Sequence, residues 1–269
     1  MRGLDEVRAF EAERPLGLVP TLGYLHEGHL SLAHRAREEC ETLMISIFVN
    51  PLQFGPGEDL DRYPRDEAGD LDLARQIGAD AVFIPDAKEI YPETFTTEVR
   101  VRGLEDVLEG ASRPGHFAGV ATVLAKLLNI VGPDRMYMGQ KDAQQAVIVG
   151  RMIEDLNFPT RLVVCPTIRE PDGLAMSSRN VYLNDDERAA APTLYRALSK
   201  ARESGSRDPE ELETMVRELV SSEPLIDIEY VSATDSASLG PVTTGGEILL
   251  SLAARLGKTR LIDNVLVGR

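Results

Sequence analysis

The stretch that decides the fold is Leu16–His29, which reads LGLVPTLGYLHEGH. Its apolar start predicts a buried strand, Pro20 and Gly23 predict a turn, and the apolar spacing over 30–36 predicts a helix. The start of such a helix offers unpaired backbone N–H groups and the positive end of the helix dipole. Anions bind at that position, so the stretch predicts a nucleotide-phosphate site.

Two histidines in this stretch, His26 and His29, are spaced so that one helical turn places them on the same face. Each imidazole can donate a hydrogen bond to charge that develops on a phosphate. A zinc site and a chance match are the alternatives. Zinc needs a third and usually a fourth ligand, and the metalloprotease pattern has two residues between the Glu and the second His, where this chain has only Gly28. The motif alone does not decide.

Composition excludes several classes of protein. The 269 residues contain 29 basic and 44 acidic side chains, a net charge of −15, which disfavours nucleic-acid and membrane partners because both are held mainly by Lys and Arg. A local Mg²⁺ and a few basic side chains can still hold ATP. Cys40 and Cys165 are too few for a disulfide framework, and no signal-peptide core or membrane span is evident. We expect a cytoplasmic protein.

Apolar runs and helical patterns alternate outward from the first helix. Further strands are predicted at 42–49, 81–84, 136–138 and 161–165, and helices at 65–77, 120–131 and 142–156. The alternation predicts an α/β fold whose first domain, 1–180, is a doubly wound, Rossmann-like parallel sheet.

The pattern changes beyond residue 180. Asn184 followed by Glu187 resembles a capping box and predicts a helix start. Two helices, 185–203 and 209–220, are followed by extended segments at 226–231, 247–254 and 260–266. We therefore predict a smaller C-terminal α+β domain over 181–269.

Polar segments follow three of the predicted strands, at 50–54, 139–145 and 176–180. Ligands of doubly wound sheets bind beyond the carboxyl ends of the strands. The amides of Gln53 and Gln145 suit a small hydroxylated acid, whereas a polyphosphate suits the cationic and hydroxyl groups of Lys141, Ser177, Ser178 and Arg179. Each residue alone could be an ordinary surface side chain, but their joint occurrence favours an enzyme.

These and other motifs show that the chain resembles the pantothenate synthetase family, the pantoate:beta-alanine ligases, within the nucleotidyltransferases that carry a His-x-Gly-His signature. The resemblance covers essentially the whole chain. It rests on PTLGYLHEGH (20–29), IFVNPLQF (47–54), YPR (63–65), RPGHF (113–117), GQKD (139–142) with QQ (144–145), and RE (169–170) with DGLAMSSRN (172–180). The chain departs from the usual family pattern at Leu22, Tyr24 and Gln140.

The resemblance implies a two-step ligation. The pantoate carboxylate attacks the α-phosphorus of MgATP and releases pyrophosphate, and beta-alanine then attacks the pantoyl adenylate to give pantothenate and AMP. It also implies a homodimer. Such chemistry requires alignment and charge neutralisation more than a covalent nucleophile on the protein.

The resemblance also implies roles for individual residues. The catalytic set is His29, His26 and Lys141. ATP binding is assigned to Leu22, Gly23, Tyr24, Leu25, His26, Glu27, Gly28, His29, Gly139, Gln140, Lys141, Asp142, Ile168, Met176, Ser177, Ser178 and Arg179. Substrate binding is assigned to Gln53, Gln145, Asn50, Arg113 and His116, and Asp70 is assigned to the metal together with the ATP phosphates.

Three rival functions fit parts of the sequence. A transfer-RNA synthetase fragment would need a basic face, which the net charge argues against. A nucleotidyltransferase with a phosphorylated substrate would need extra Arg or Lys where Gln53 and Gln145 stand. An ATP sensor without catalysis would be expected to lack one of the three catalytic side chains, all of which are present.

Overall fold

The computed structural model describes residues 1–243 and 245–268. Five strands form a sheet in the order β3-β2-β1-β4-β5, with every neighbouring pair parallel. They are β1 (Leu16–Thr21), β2 (Thr42–Ile47), β3 (Ala81–Phe83), β4 (Arg135–Gly139) and β5 (Arg161–Cys165). The helices as far as residue 155 are α1 (Leu4–Arg8), α2 (Glu27–Glu39), α3 (Glu67–Gln76), α4 (Ala87–Ile90), α5 (Glu109–Ser112), α6 (His116–Val131) and α7 (Ala143–Asp155). The predicted parallel sheet with intervening helices is confirmed.

The two faces of this sheet carry separate cores, because successive strand residues point to opposite faces. Leu18 belongs to a core that contains residues of α6 and α7, and its neighbour Val19 belongs to a core with residues of α2 and α3. Met44 and Ile45 of β2 divide in the same way. Helices therefore cover both faces, which is the arrangement of a doubly wound fold.

Contacts between Cα atoms divide the chain into two units. The first comprises Met1–Gly139 and Ile148–Pro166, and the second comprises Gln140–Val147 and the described residues from Thr167 onward. The predicted first domain includes 167–180, whereas these contacts group that segment with the second unit. The boundary at 180, as a boundary between separately folding domains, stays a prediction.

The second unit contains a three-stranded antiparallel sheet in the order β6-β7-β8. Its strands are β6 (Ile226–Asp235), β7 (Ile248–Leu256) and β8 (Thr259–Val267), and its helices are α8 (Asp185–Ala190), α9 (Thr193–Glu203) and α10 (Pro209–Ser221). Apolar residues of α9, α10 and the sheet share one buried core. The predicted α+β arrangement is confirmed.

One predicted helix of the second unit, 185–203, is two helices in the structure. Pro192 is the N-cap of α9, and a proline lacks the N–H group and clashes with the preceding turn of a helix. The helix therefore stops at Ala190 and restarts at Thr193. The capping box of Asn184 and Glu187 is confirmed.

The predicted helix 120–131 begins earlier, at His116. Gly115 precedes it with φ 83°, a left-handed conformation that glycine adopts without strain. Phe117 extends the apolar stripe into this first turn, but Gly115 and Gly119 weaken the helical signal there, so the prediction began at residue 120. Within the described residues, no helix is both long and apolar enough to cross a membrane.

Candidate active site

The turn after β1 is held from two sides. Thr21 ends the strand, and its hydroxyl accepts a hydrogen bond from the Gly23 N–H at 3.1 Å and donates one to the Ser46 carbonyl at 2.9 Å. Gly23 has φ 86° and Tyr24 has φ 54°, so two consecutive residues are left-handed. Such a conformation is costly for a side chain as large as that of Tyr24 and needs support from its surroundings.

Asp70 of α3 supplies that support. Its two carboxylate oxygens accept hydrogen bonds from the backbone N–H groups of Tyr24 at 2.9 Å and Leu25 at 2.6 Å. The side chain is buried, with 3% of the residue exposed. Burial raises the pKa of Asp70 above its ordinary value, and the two N–H groups oppose that rise.

These contacts bear on the metal role assigned to Asp70. Both oxygens already accept hydrogen bonds, and no group of three or more His, Cys, Asp or Glu suited to a metal ion is found in 1–243 and 245–268. The geometry favours a positioning role for Asp70, and its metal role stays a prediction without structural support.

Asp70→Asn is expected to raise the KM for MgATP and to lower the free energy of unfolding. One acceptor becomes an NH₂ donor that faces a backbone N–H group, and a hydrogen bond to a charged group contributes about 1.5–3 kcal/mol. Urea unfolding measures the stability. Turnover at varied MgATP, repeated at several Mg²⁺ concentrations, measures the KM. The control is Asp72→Asn, which removes an exposed carboxylate from the same helix. Recovery of the KM in excess Mg²⁺ would instead support the metal role.

The structure brings the two histidines together. Their ring centroids are 4.0 Å apart with an interplanar angle of 34°. His29 lies in the first turn of α2 as predicted, but His26 is the N-cap and has an extended backbone. Its Nδ1 accepts a hydrogen bond from the Gly28 N–H at 3.1 Å. An accepting Nδ1 carries no proton, so the proton of the neutral ring is on Nε2, where it can be donated.

Asn50 and Gln53 also lie together, after β2. Asn50 caps a short 3-10 helix, Pro51–Gln53, and its Nδ2 donates to the Gln53 side-chain oxygen at 3.1 Å. It also donates to the Gly119 carbonyl at 3.0 Å and accepts from the Tyr91 hydroxyl at 2.8 Å and from the Leu52 N–H at 3.3 Å. Asn50 is fully buried, and these bonds fill its donors and acceptors. These contacts make Asn50 a support for Gln53, and its role as a direct substrate ligand stays a prediction.

Arg113, the C-cap of α5, and His116, the first residue of α6, contact the same segment. His116 Nδ1 lies 2.7 Å from the Gln53 carbonyl oxygen, and Arg113 Nη1 lies 3.0 Å from His116 Nε2. Because arginine only donates, Nε2 accepts and Nδ1–H donates. Burial and the Arg113 charge lower the pKa of His116 to about 4, so the ring is neutral at pH 7. These contacts place both residues on the Gln53 backbone, and their role as direct substrate ligands stays a prediction.

Glu58 is a partner that the sequence analysis missed. Its carboxylate accepts from Arg113 Nε at 2.7 Å and from Nη2 at 2.6 Å, a bidentate pair. Burial opposes the charge of Glu58, but the hydrogen bonds and charge of Arg113 outweigh it, so the pKa of Glu58 is lowered. No pattern in the polar loop 54–64 singled out this acid.

Gly119 marks the closest approach of α6 to the short 3-10 helix. A Cβ atom at this position would lie 2.3 Å from the Leu52 carbonyl oxygen and 2.7 Å from the Gln53 nitrogen. Only glycine permits that separation between two backbones. Gly119 therefore determines where Gln53 lies relative to α6.

In the second unit, the predicted nucleotide residues Gln140–Asp142 form a 3-10 helix directly after Gly139. Asn264 of β8 donates from Nδ2 to the carbonyl oxygens of Gln140 at 3.0 Å and Lys141 at 2.9 Å. Lys141 Nζ lies 3.4 Å from an Asp142 oxygen, and the Lys141 side chain is about one-fifth exposed. Gln145 follows in α7 and is half-buried.

The remaining predicted ATP residues lie on one tight loop of the second unit. Met176 N–H donates to the Ile168 carbonyl at 3.0 Å, which closes a small hairpin. Ser177 then caps a 3-10 helix, Ser178–Tyr182, by accepting from the Arg179 N–H at 3.3 Å. Ser178 is buried and Arg179 is half-buried. The structure thus groups Ile168 with 176–179, and their role in ATP binding stays a prediction.

Known proteins resemble this chain over nearly its whole length. A family model described as pantoate-beta-alanine ligase matches residues 1–266. A pantothenate synthetase from Pelotomaculum thermopropionicum is 52% identical over 275 residues, covering 99% of this chain and 98% of the relative. One from Chloroflexus aggregans is 55% identical over 265 residues, covering 97% and 96%.

Two solved structures are also similar. A pantothenate synthetase of Thermus thermophilus has a TM-score of 0.95 and 46% identity, covering 100% of this chain and 99% of that chain. A pantoate-beta-alanine ligase from Francisella tularensis, complexed with beta-gamma ATP and beta-alanine, has a TM-score of 0.83 and 32% identity, covering 99% and 97%. The likeness extends over both units.

Proposed function

The chain belongs to the pantoate-beta-alanine ligase family, and from this premise we propose how its residues divide the reaction between them. The enzyme condenses pantoate with beta-alanine to form pantothenate, with ATP as co-substrate. The rival functions named above, a transfer-RNA synthetase fragment, another nucleotidyltransferase and an ATP sensor, are set aside on this evidence.

The first step forms the activated acid. A pantoate carboxylate oxygen bonds to the α-phosphorus of ATP, the bond from that phosphorus to the bridging oxygen breaks, and pyrophosphate leaves. In the second step the beta-alanine amine forms a C–N bond with the pantoyl carbon, AMP leaves, and the amine loses a proton. Neither step requires a covalent nucleophile on the protein, and alignment with charge stabilisation supplies most of the rate.

The arrangement of His26 and His29 at the start of α2 carries this proposal. Their rings are 4.0 Å apart, beside a turn that Thr21 and Asp70 hold through the backbone. Because His26 Nδ1 accepts a hydrogen bond from the Gly28 N–H, the proton of the neutral His26 ring is on Nε2 and can be donated. We propose that His29 donates a proton to the departing pyrophosphate or stabilises the α-phosphate, with His26 donating to the phosphate beside it.

We propose roles for the remaining assigned residues from their chemistry. The Lys141 ammonium neutralises triphosphate charge, and the hydroxyls and cation of 177–179 bind phosphate oxygens. Gly139, Gln140, Asp142, Ile168 and Met176 bind ATP. Gln53 and Gln145 bind pantoate through their side-chain amides.

Mg²⁺ enters this scheme with ATP, as part of the MgATP substrate. Within 1–243 and 245–268, no three or more His, Cys, Asp or Glu side chains form a group that could hold a metal ion. Mg²⁺ prefers to keep several waters and to bind substrate phosphates, which needs few ligands from the protein.

Two further proposals concern the state of the enzyme. We propose a homodimer, as the family resemblance implies, and sedimentation of the purified chain tests it.

We also propose a cytoplasmic location. The two cysteines, Cys40 and Cys165, are both free thiols, as expected in a reducing compartment. Cell fractionation tests the location.

Product analysis tests the reaction itself. The purified chain is incubated with MgATP, D-pantoate and beta-alanine, and each component is omitted in turn. Pantothenate, AMP and pyrophosphate that require all three substrates support the two-step ligation. Formation of ADP would contradict the adenylate route, and folded protein without pantothenate would contradict the ligase function.

Gln53→Ala is expected to weaken pantoate binding by about tenfold while ATP binding changes much less. The substitution removes an amide that Asn50 orients, and about 1.4 kcal/mol corresponds to a factor of ten in affinity. Calorimetric titration with each ligand measures both constants, with the exposed amide Gln76→Ala as control. A larger loss for ATP than for pantoate would reverse the proposed division of ligands.

A further inference from the structure

A buried polar pair interrupts the apolar strand β8. Asp263 is 3% exposed and Asn264 is 5% exposed, between neighbours that pack in the core of the second unit. Burying an amide or a carboxylate costs free energy unless its hydrogen bonds are made within the protein. Both side chains therefore need hydrogen-bond partners within the protein, and each has them in the second unit.

Asn264 directs its whole side chain at the nucleotide segment Gln140–Lys141. Nδ2 donates to the Gln140 carbonyl oxygen at 3.0 Å and to the Lys141 carbonyl oxygen at 2.9 Å, and Oδ1 accepts from Gln140 Nε2 at 3.1 Å. The Asn264 amide thus fixes the backbone carbonyl groups of Gln140 and Lys141 and the side chain of Gln140 through hydrogen bonds. A 3-10 helix as short as this one has few hydrogen bonds of its own to fix it.

Asp263 fixes the position of Asn264 in turn. Its Oδ1 accepts from the Asn264 N–H at 2.7 Å. Arg169 forms a bidentate pair with the Asp263 carboxylate at 2.6 and 2.9 Å, and its guanidinium lies 3.5 Å from the centroid of the Tyr195 ring. A planar guanidinium held on two sides leaves little freedom to the carboxylate. The restraint therefore runs from Arg169 through Asp263 to Asn264.

We propose that Asn264 is a positioning residue that holds the Gln140–Lys141 backbone so that Lys141 is presented to the triphosphate in one place. This inference rests on the proposed role of Lys141. Asn264 touches none of the three substrates in this scheme and acts only through the segment it holds. Misplacing a catalytic group by about 1 Å can cost about 10²-fold in rate.

Asn264→Leu tests the inference, since leucine has a similar size and no hydrogen-bonding group. We expect kcat/KM for ATP to fall about 10–10²-fold. Asn264→Ser is a milder second variant, with a hydroxyl too short to reach both carbonyl oxygens, for use if the leucine variant does not fold. The control is Val265→Ala, which truncates the next buried residue of β8. The control is expected to lower the melting temperature without a comparable loss of activity.

A double-mutant cycle with Lys141→Ala separates positioning from general damage. If Asn264 acts through Lys141, its substitution adds little to the loss already caused by Lys141→Ala. A full additional loss in the Lys141→Ala background, or an Asn264 variant as active as wild type, would overturn the inference alone. An unimpaired Lys141→Ala enzyme would overturn both the inference and the proposed role of Lys141. Absence of pantothenate from the wild-type reaction would mean that the ligase function itself had failed.

Discussion

Replacing His29 by alanine is expected to lower kcat by about 10²–10³-fold, the usual loss when one donor to transition-state charge is removed. The ring lies in the first turn of α2, 4.0 Å from His26 between centroids. Charge develops on the departing pyrophosphate only during the reaction, so the donor stabilises the transition state more than bound ATP. The affinity for ATP is therefore expected to change little. Turnover measured by pantothenate formation and calorimetric titration with ATP give the two quantities.

His34→Ala is the matched control for this prediction, because His34 lies on the same helix and is exposed. It should leave both turnover and ATP affinity near wild type. Unchanged turnover in His29→Ala would remove His29 from the chemistry. Lost ATP affinity with normal kcat at saturation would make it a binding residue.

Gly119→Ala is expected to weaken pantoate binding by at least about tenfold and to destabilise the fold by about 1–3 kcal/mol, the usual cost of overpacking. The new methyl group would lie 2.3 Å from the Leu52 carbonyl oxygen, and that oxygen belongs to the backbone. The short helix that carries Gln53 must move away from α6. The hydrogen bond from Asn50 to the Gly119 carbonyl and the contact of His116 with the Gln53 carbonyl are then disturbed.

Gly150→Ala provides a control of opposite expected sign. Gly150 also lies inside a helix, α7, but its added Cβ would meet only Leu162 Cδ2, at 3.6 Å. Replacing a helical glycine with alanine stabilises by roughly 0.5–1 kcal/mol where there is room. Urea unfolding and calorimetry with pantoate should therefore separate the two variants. Equal stabilisation by both substitutions would show that α6 and the Leu52 backbone can separate enough to admit a methyl group, and it would contradict the prediction for Gly119→Ala.

Much of the fold could be predicted because its signals are local. Buried parallel strands such as 42–49 are continuous apolar runs, and the turn at Gly23 is marked by its residue types. The errors also have local causes. The break at Pro192 was overlooked within a helical pattern, and Gly115 and Gly119 weaken the helical signal in the first turn of α6.

The candidate site was predicted by residue type and resemblance, but the supporting contacts were not. Those contacts join positions far apart in the chain, as Asp70 joins the turn at 24–25 and Glu58 joins Arg113. A single sequence carries no signal for such pairs, since an isolated acid in a polar loop or helix is usually solvated. The pair Asp263-Asn264 is different, because two polar residues inside an apolar strand indicate buried side chains that need hydrogen-bond partners.

The hold of Asn264 on Gln140–Lys141 spans 124 and 123 positions of sequence, and so it has a consequence for the order of events during synthesis. Every side chain assigned to chemistry or to ligands lies at or before Arg179 and leaves the ribosome well ahead of β8. A nascent or prematurely terminated chain that reaches only residue 250 carries the whole set of reactive groups. It lacks the amide that fixes the Gln140–Lys141 backbone. Under the proposed roles, competence for the reaction therefore waits for β8, which is synthesised after all of the assigned side chains.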